Sequence, residues 1–427
     1  MVGGVAAFLA SAFPAVASAT DYCVAPVTGC SGTPVQHFED ALGAADGNAD
    51  ADRIFLGATT YVAPTASGFD YNTPNARVEI IGQGRGQTIL TSPAGGNSWV
   101  LRLVGGPGTS IHDLTIRLPQ SASAGLAGLW TKNTARRVDV VEDSTQANPR
   151  SGVELVNGGV LEDSKVTLSG GVGGLAARFS PGGATVRRSE LSAWIGVMSD
   201  YGGTIERSRI TGLVGGVNAE RNLTTITGSL IRLTQGSSTG IVAATNTGFQ
   251  TVVNADGVTI VGPGVTNTAG ASALTQAAES ANVSLTNSVV RGVSETFFAG
   301  SSGGQAKIAA SYSDYDPGGD VTIGPKASIA EANVSNVGDS GFADPAGGDY
   351  RLLPGSPLVD PAIRPPRRVS TSTATRSSRT GTATASRAAT WGPSSCSRRP
   401  PPAASRARAP GPARARAAPR PSIRRRH

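Results

Sequence analysis

Between Gly159 and Arg232 one pattern of apolar and polar positions recurs: apolar, polar, polar or small, Ser, polar, apolar. Leu161-Glu-Asp-Ser-Lys-Val166, Val186-Arg-Arg-Ser-Glu-Leu191, Ile205-Glu-Arg-Ser-Arg-Ile210 and Ile226-Thr-Gly-Ser-Leu-Ile231 carry it most clearly. Looser copies start at Ile111, Ala135, Val253, Leu285 and Ile308. The repeat averages about 25 residues, the period of stacked supersecondary units. Each unit is short, β-branched and bounded by Gly, which predicts strands. None has room for a helix plus its connections.

Charge signs indicate how the units stack. The second position reads Arg136, Glu162, Arg187, Glu206 and the fifth reads Asp139, Lys165, Glu190, Arg209. Equivalent residues of neighbouring parallel strands lie roughly 4.8 Å apart. Opposite charges facing one another help and like charges hurt, so two alternating columns fit in-register parallel stacking. The Ser position then forms an internal stack of hydroxyls. A coil of this length, stacked in this way, is a parallel β-helix. Ankyrin and leucine-rich repeats fit less well, because their helical and Leu-Asn signatures are missing.

Composition changes the picture in one respect. The 427 residues carry a net charge of +7, but 16 of the 37 basic residues lie after Asp360, where there is no Asp or Glu. Residues 1–360 hold 21 basic against 30 acidic groups. The basic total therefore does not mark a polyanion-binding body, and the Arg136-Arg137 and Arg187-Arg188 pairs read as ladder charges. No nucleic-acid partner is expected.

Residues 1–19 are apolar and end in Ala17-Ser-Ala19, a small-x-small cleavage pattern. They read as a signal peptide whose true start lies upstream, since a basic n-region is missing. No later run is long and apolar enough to span a membrane. Cys23 and Cys30 are then a candidate disulfide of an exported protein, with a reduced pair as the alternative. Thr33-Pro34-Val-Gln36 has helix N-cap chemistry. Val35, Phe38 and Leu42 fall on one face, and Gly47 can end the helix. Residues 20–52 are thus expected to cap the solenoid, whose first coil would otherwise expose an open edge.

Phe38-Glu-Asp-Ala-Leu42, Ala51-Asp-Arg-Ile-Phe-Leu56, Thr60-Tyr61 and Val78-Glu-Ile-Ile-Gly-Gln-Gly84 resemble the opening of secreted bacterial right-handed parallel β-helix proteins, pectate-lyase-like in fold. Phe342-Ala-Asp344, Asp349-Tyr-Arg-Leu352 and Gly355-Ser-Pro357 resemble their far end, and the likeness covers roughly residues 33–360. It implies an all-β, single-stranded right-handed parallel β-helix (solenoid) over 53–360, with a short N-terminal capping helix. It also implies a last segment that closes the final coil and runs into an acidic Asp-Gly-rich stretch. The chain departs from this after Asp360, where residues 361–427 are rich in Arg, Pro, Ala, Ser and Thr. A disordered basic tail is one reading; a shifted frame is another. GC-rich codons for Ser370–Arg376, read one base earlier, encode Asp-Leu-Asp-Gly-Asp-Pro. Thr390–Cys396 similarly yields Asp-Met-Gly-Ala-Phe-Glu-Leu.

The resemblance implies contact with polysaccharide. Lyases on this fold typically pair Ca²⁺-binding carboxylates with an Arg or Lys base, and hydrolases use paired carboxylates. The strand following Gly128, Gly152, Gly174, Gly196 and Gly216 offers candidates. With Leu129, Val153, Leu175, Val197 and Val217 inward, Trp130, Lys132, Glu154, Arg178, Asp200 and Glu220 point out. Trp130 could stack on a sugar ring, with Arg178, Asp200 and Glu220 on successive coils; a solvated, charge-paired face is the alternative. His37 and His112 are isolated, which leaves no His metal cluster. Two function classes follow: a non-catalytic, monomeric secreted or cell-surface β-helix for adhesion, glycan contact or spacing, and a lyase or glycoside hydrolase acting on acidic polysaccharide. No cofactor is expected, with Ca²⁺ entering only under the lyase reading.

Overall fold

The computed structural model describes residues 19–46, 51–95, 98–119, 125–142, 150–169, 171–245, 248–276 and 278–358. The chain divides into two units, Met1–Arg367 and Arg368–His427. The second unit, the proposed frameshift segment, Gly47 and all of the expected signal peptide but Ala19 lie outside the described residues.

The first unit is a right-handed parallel β-helix. Successive strands along the chain bend around three faces, and each pairs in parallel with its equivalent one coil away. On the first face an inward row runs Ile54, Ile80, Ile111, Ala135, Leu161, Val186, Ile205, Ile226, Ala255, Leu285 and Ala310, each paired in register with the next. All are at most 2% exposed. On the second face Val166, Leu191, Ile210, Ile231, Ile260 and Val290 form another buried row. On the third, Leu101, Leu129, Val153, Ala177, Val197, Val217, Ile241, Ala271 and Phe297 do the same. Burial of each Val, Leu or Ile contributes about 1.5–3 kcal/mol, so period-2 alternation fixes the register.

From the coil of Ile111 onward the corner between the first two faces repeats. A residue of positive φ comes first: Asp113, Arg137, Asp163, Arg188, Arg207, Gly228, Gly257, Asn287, Tyr312 and Asn333. The serine that follows is buried at Ser164, Ser189, Ser208, Ser229, Ser288 and Ser313. Its hydroxyl donates to the carbonyl two residues back, as Ser208 Oγ does to Glu206 O at 2.8 Å. It accepts from the serine N–H one coil earlier: Ser164 N to Ser189 Oγ at 3.2 Å, Ser189 N to Ser208 at 3.2 Å and Ser208 N to Ser229 at 3.1 Å. A small hydroxyl is needed because the corner backbone N–H lies in the interior, where an unpaired donor is costly. The hydroxyl stack read from the sequence is therefore a ladder that satisfies buried backbone groups.

The charge columns pair in the register the sequence implied. Arg136 faces Glu162, which faces Arg187, which faces Glu206. Asp139 faces Lys165, which faces Glu190, which faces Arg209. Arg187 Nη2 lies 2.5 Å from Glu162, and Lys165 Nζ lies 3.9 Å from Glu190.

Three expectations need correction. Thr33 does not cap a helix: Thr33–Val35 is a strand paired with Tyr22–Val24, and the helix spans Phe38–Asp46. Its Phe38 packs 4.8 Å from the Phe69 ring and 6.2 Å from Tyr61, covering the first coil. Leu175 is not the inward residue of its strand. Ala177 pairs with Val153, because Ala176 rather than Gly174 continues the row of Gly128 and Gly152. Nor does the far-end segment close the last coil. The first-face strands end at Ala327–Ala332, and Phe342–Asp344 with Asp349–Leu352 forms an antiparallel hairpin. That hairpin lies back against the corners at Arg188, Arg207, Gly228 and Gly257. Buried Asp314 holds its stem, accepting from Ser335 Oγ at 3.1 Å and Val337 N at 3.0 Å and pairing with Arg291.

Candidate functional site

The outward row of the third face reads Asp70, Arg102, Trp130, Glu154, Arg178, Met198 and Asn218, each in register with the next. It alternates with the inward apolar row, so one pleated strand per coil presents one such side chain to solvent. Rungs lie roughly 4.8 Å apart, and Trp130, Glu154 and Arg178 therefore stand side by side.

At one end the aromatic and guanidinium groups stack. The Trp99 and Trp130 ring centroids are 6.3 Å apart, and the Arg102 guanidinium sits 4.6 Å over Trp99. Arg102 Nε also donates to Asp70 Oδ1 at 2.6 Å, which holds the planar group in place. Trp130 is half-buried, with part of its indole open to solvent.

Further along, Arg178 and Asp200 come together: Arg178 Nε donates to Asp200 Oδ2 at 2.7 Å. Burial works to lower the Arg178 pKa. The hydrogen bond to Asp200 and the charges of Asp200, Glu154 and Glu220 outweigh it and hold that pKa above its ordinary value. Glu154 is itself engaged, accepting from Ser180 Oγ at 2.7 Å.

Asp200 and Glu220 do not share the row of Trp130 and Arg178. Met198 and Asn218 occupy that row, and Asp200 and Glu220 stand two residues on, in the neighbouring outward row. Asp200 is only 8% exposed, so it serves Arg178 more than solvent. Past Glu220, Arg221 lies 5.0 Å from the Tyr201 ring centroid and 4.3 Å from Phe249, whose ring is exposed. Sequence reading missed this second aromatic–guanidinium stack because its members lie on three different coils. Trp99 was missed as well, though it is the in-register neighbour of Ala127 at the start of Trp130's own strand.

His112 is not isolated. Its Nδ1 lies 2.8 Å from Asp113 and its Nε2 3.1 Å from Glu79. Asp113 also accepts from Arg137 Nε at 2.6 Å, and its pKa falls to about 2, chiefly through that bond. This network closes a corner between coils. Among the described residues no group of three His, Cys, Asp or Glu side chains is placed to hold a metal ion.

One carboxyl is instead shifted upward. Asp320, on the last coil, is pushed up to about 6, first by burial and then by the charge of Glu331 and its hydrogen bond. Glu331 also accepts from Tyr315 Oη at 2.6 Å.

No protein-family model matches the chain, and no curated protein matches it. Similar solved structures include the catalytic unit of a thermostable GH87 α-1,3-glucanase from Streptomyces thermodiastaticus, at 14% identity and TM-score 0.39, covering 70% of this chain and 64% of that one. This chain thus spans under two-thirds of the glucanase unit's length. Pectate lyase Pel9A matches at 12% identity and TM-score 0.42 over 79% of this chain and 88% of the lyase. The A-module of the Azotobacter vinelandii mannuronan C-5 epimerase AlgE4 matches at 13% and 0.38 over 71% and 93%. These likenesses add nothing to what the strand register already shows of the fold.

Proposed function

We propose that this protein is a non-catalytic, extracellular or cell-surface β-helix that contacts glycan along the outer side of its third face. The observation that carries the reading is the half-exposed Trp130, tilted against Trp99, whose other neighbour is the Arg102 guanidinium, and in register with Glu154 and Arg178. Aromatic faces take the apolar side of a sugar ring, while fixed guanidinium and carboxylate groups take its hydroxyls. The charged side chains of this row are already engaged, Arg102 with Asp70, Glu154 with Ser180 and Arg178 with Asp200, which suits holding a polar chain more than moving a proton. The Cys23–Cys30 disulfide, with Cα atoms 5.8 Å apart, supports an oxidising compartment.

The Asp320–Glu331 pair supports a second, enzymatic reading. A carboxyl with a pKa near 6 can deliver a proton to a leaving group as a general acid near neutral pH.

Affinity electrophoresis of the full chain through pectin, alginate and neutral glucan gels tests the first reading. Retardation by at least one polymer is expected. Trp130→Ala should weaken it about three- to ten-fold, in line with about 0.5–1.5 kcal/mol for losing an aromatic stacking contact. Equal retardation of the variant would sink the reading. Release of new reducing or unsaturated ends, abolished by Asp320→Asn, would favour the second.

A further inference from the structure

The corner column carries a third series of alternating charges: Asp113, Arg137, Asp163, Arg188. Asp113 pairs with Arg137, and Asp163 with Arg188, at 2.6 and 2.8 Å. The next corner residue should be acidic, and it is Arg207. Arg188 and Arg207 therefore occupy neighbouring corners, a placement that costs stability. Two residues on, Arg209 adds another cation. Arg188 is neutralised by Glu162 and Asp163, whereas Arg207 and Arg209 have no ion-pair or hydrogen-bonding side-chain partner among the described residues.

The alternation fails where the surface is hollowed. The following corners are Gly228 and Gly257, which leave the column without side chains. The C-terminal hairpin crosses above them, so that Asp349, Tyr350 and Arg351 face Arg207, Arg209, Gly228 and Gly257 across a cleft of about 410 Å³. Arg351 Nε bonds Asp349 at 2.8 Å. That bond comes first, followed by the Arg351 backbone N–H and the charges of Arg351 and Arg209, in holding the Asp349 pKa near 2. Glu190 lines the same cleft and faces Arg209 in register; with Arg351 and Arg188 compensated, Arg207 and Arg209 together still leave the cleft net positive beside the Tyr350 ring.

We propose that this cleft binds an oxyanion carried on a saccharide, with Arg207 and Arg209 taking the anion and Tyr350 facing the sugar ring. The site is separate from the third face. A guanidinium offers planar, two-pronged donors suited to carboxylate or sulfate, and two that stand two residues apart on one coil can share one such group. A bound anion also relieves the repulsion between Arg188 and Arg207.

The probes are tri-galacturonate, its methyl ester and inorganic sulfate, titrated calorimetrically into the full chain at low salt. Tri-galacturonate should bind, and the ester, which keeps the shape but loses the charge, should bind at least about ten-fold more weakly. The double variant Arg207→Gln/Arg209→Gln should lose the acid–ester difference while keeping its melting temperature within a few degrees. In parallel, mass spectrometry should show Arg207 and Arg209 protected from phenylglyoxal by tri-galacturonate, a readout that needs no variant. The proposal is overturned by absence of binding at millimolar acid, by equal binding of the ester, by an unchanged double variant, or by sulfate binding as tightly as the trimer, which would make the site one for free oxyanions. Trp130→Ala should leave this binding intact, so failure here and failure of the third-face reading are distinguishable.

Discussion

Ser208 shows how one residue holds the coil corner. It is buried, donates to Glu206 O, accepts from Ser189 N–H and gives its own N–H to Ser229 Oγ. Replacing it with Ala should leave the Ser189 N–H unpaired in the interior, costing about 1–3 kcal/mol; equilibrium urea unfolding measures this. A loss no larger than at an exposed serine such as Ser302 would mean the ladder satisfies nothing. The Ser position and the two charge columns were legible because they recur at one period. The third column, Asp113 to Arg188, was equally present in the sequence but read as ordinary ladder charge, and its break at Arg207 has meaning only once the hairpin is seen above it.

Among the elements, the repeating strands were legible and the non-repeating ones were not. Thr33-Pro34 carries the local chemistry of a helix start, but pairing with Tyr22–Val24 overrides it. The hairpin at Phe342–Leu352 has no repeat to set its register, and its partners lie about 90 residues or more upstream. Likewise Asp200 and Glu220 stand one row from Arg178, and Asp200 is buried, since alternation gives the face and only pairing gives the row. The corner at Arg207 yields a prediction of its own. Arg207→Asp restores the sign alternation at a positive-φ site that Asp tolerates better than Arg. It should stabilise the β-helix by about 0.5–1 kcal/mol at low salt, less at high salt, while abolishing anion binding in the cleft. A destabilised variant would contradict the charge ladder.

Across the whole molecule, stability should depend on pH through the last coil. The Asp320 pKa is raised to about 6 from its ordinary value of 3.8. The folded state therefore binds more protons than the unfolded chain between these values. Its contribution is fully present below about pH 4 and is lost as pH rises through 6. Allowing for solvent screening, the change is about 1 kcal/mol. Thermal melts from pH 4 to 7 should show the decline on top of other titrations, and Asp320→Asn should flatten that part. An unchanged slope would place the carboxyl in water. The body of the molecule is then a long in-register stack, capped by Phe38–Asp46 at one end, with the row of Trp130, Glu154 and Arg178 along one side and a charged cleft under the hairpin. The full chain, mixed with a retained polysaccharide for a day, decides between recognition and turnover. Retention that depends on Trp130, with polymer length unchanged by size-exclusion chromatography and light scattering, is the result predicted. Shortened polymer, or retention indifferent to Trp130, would contradict it.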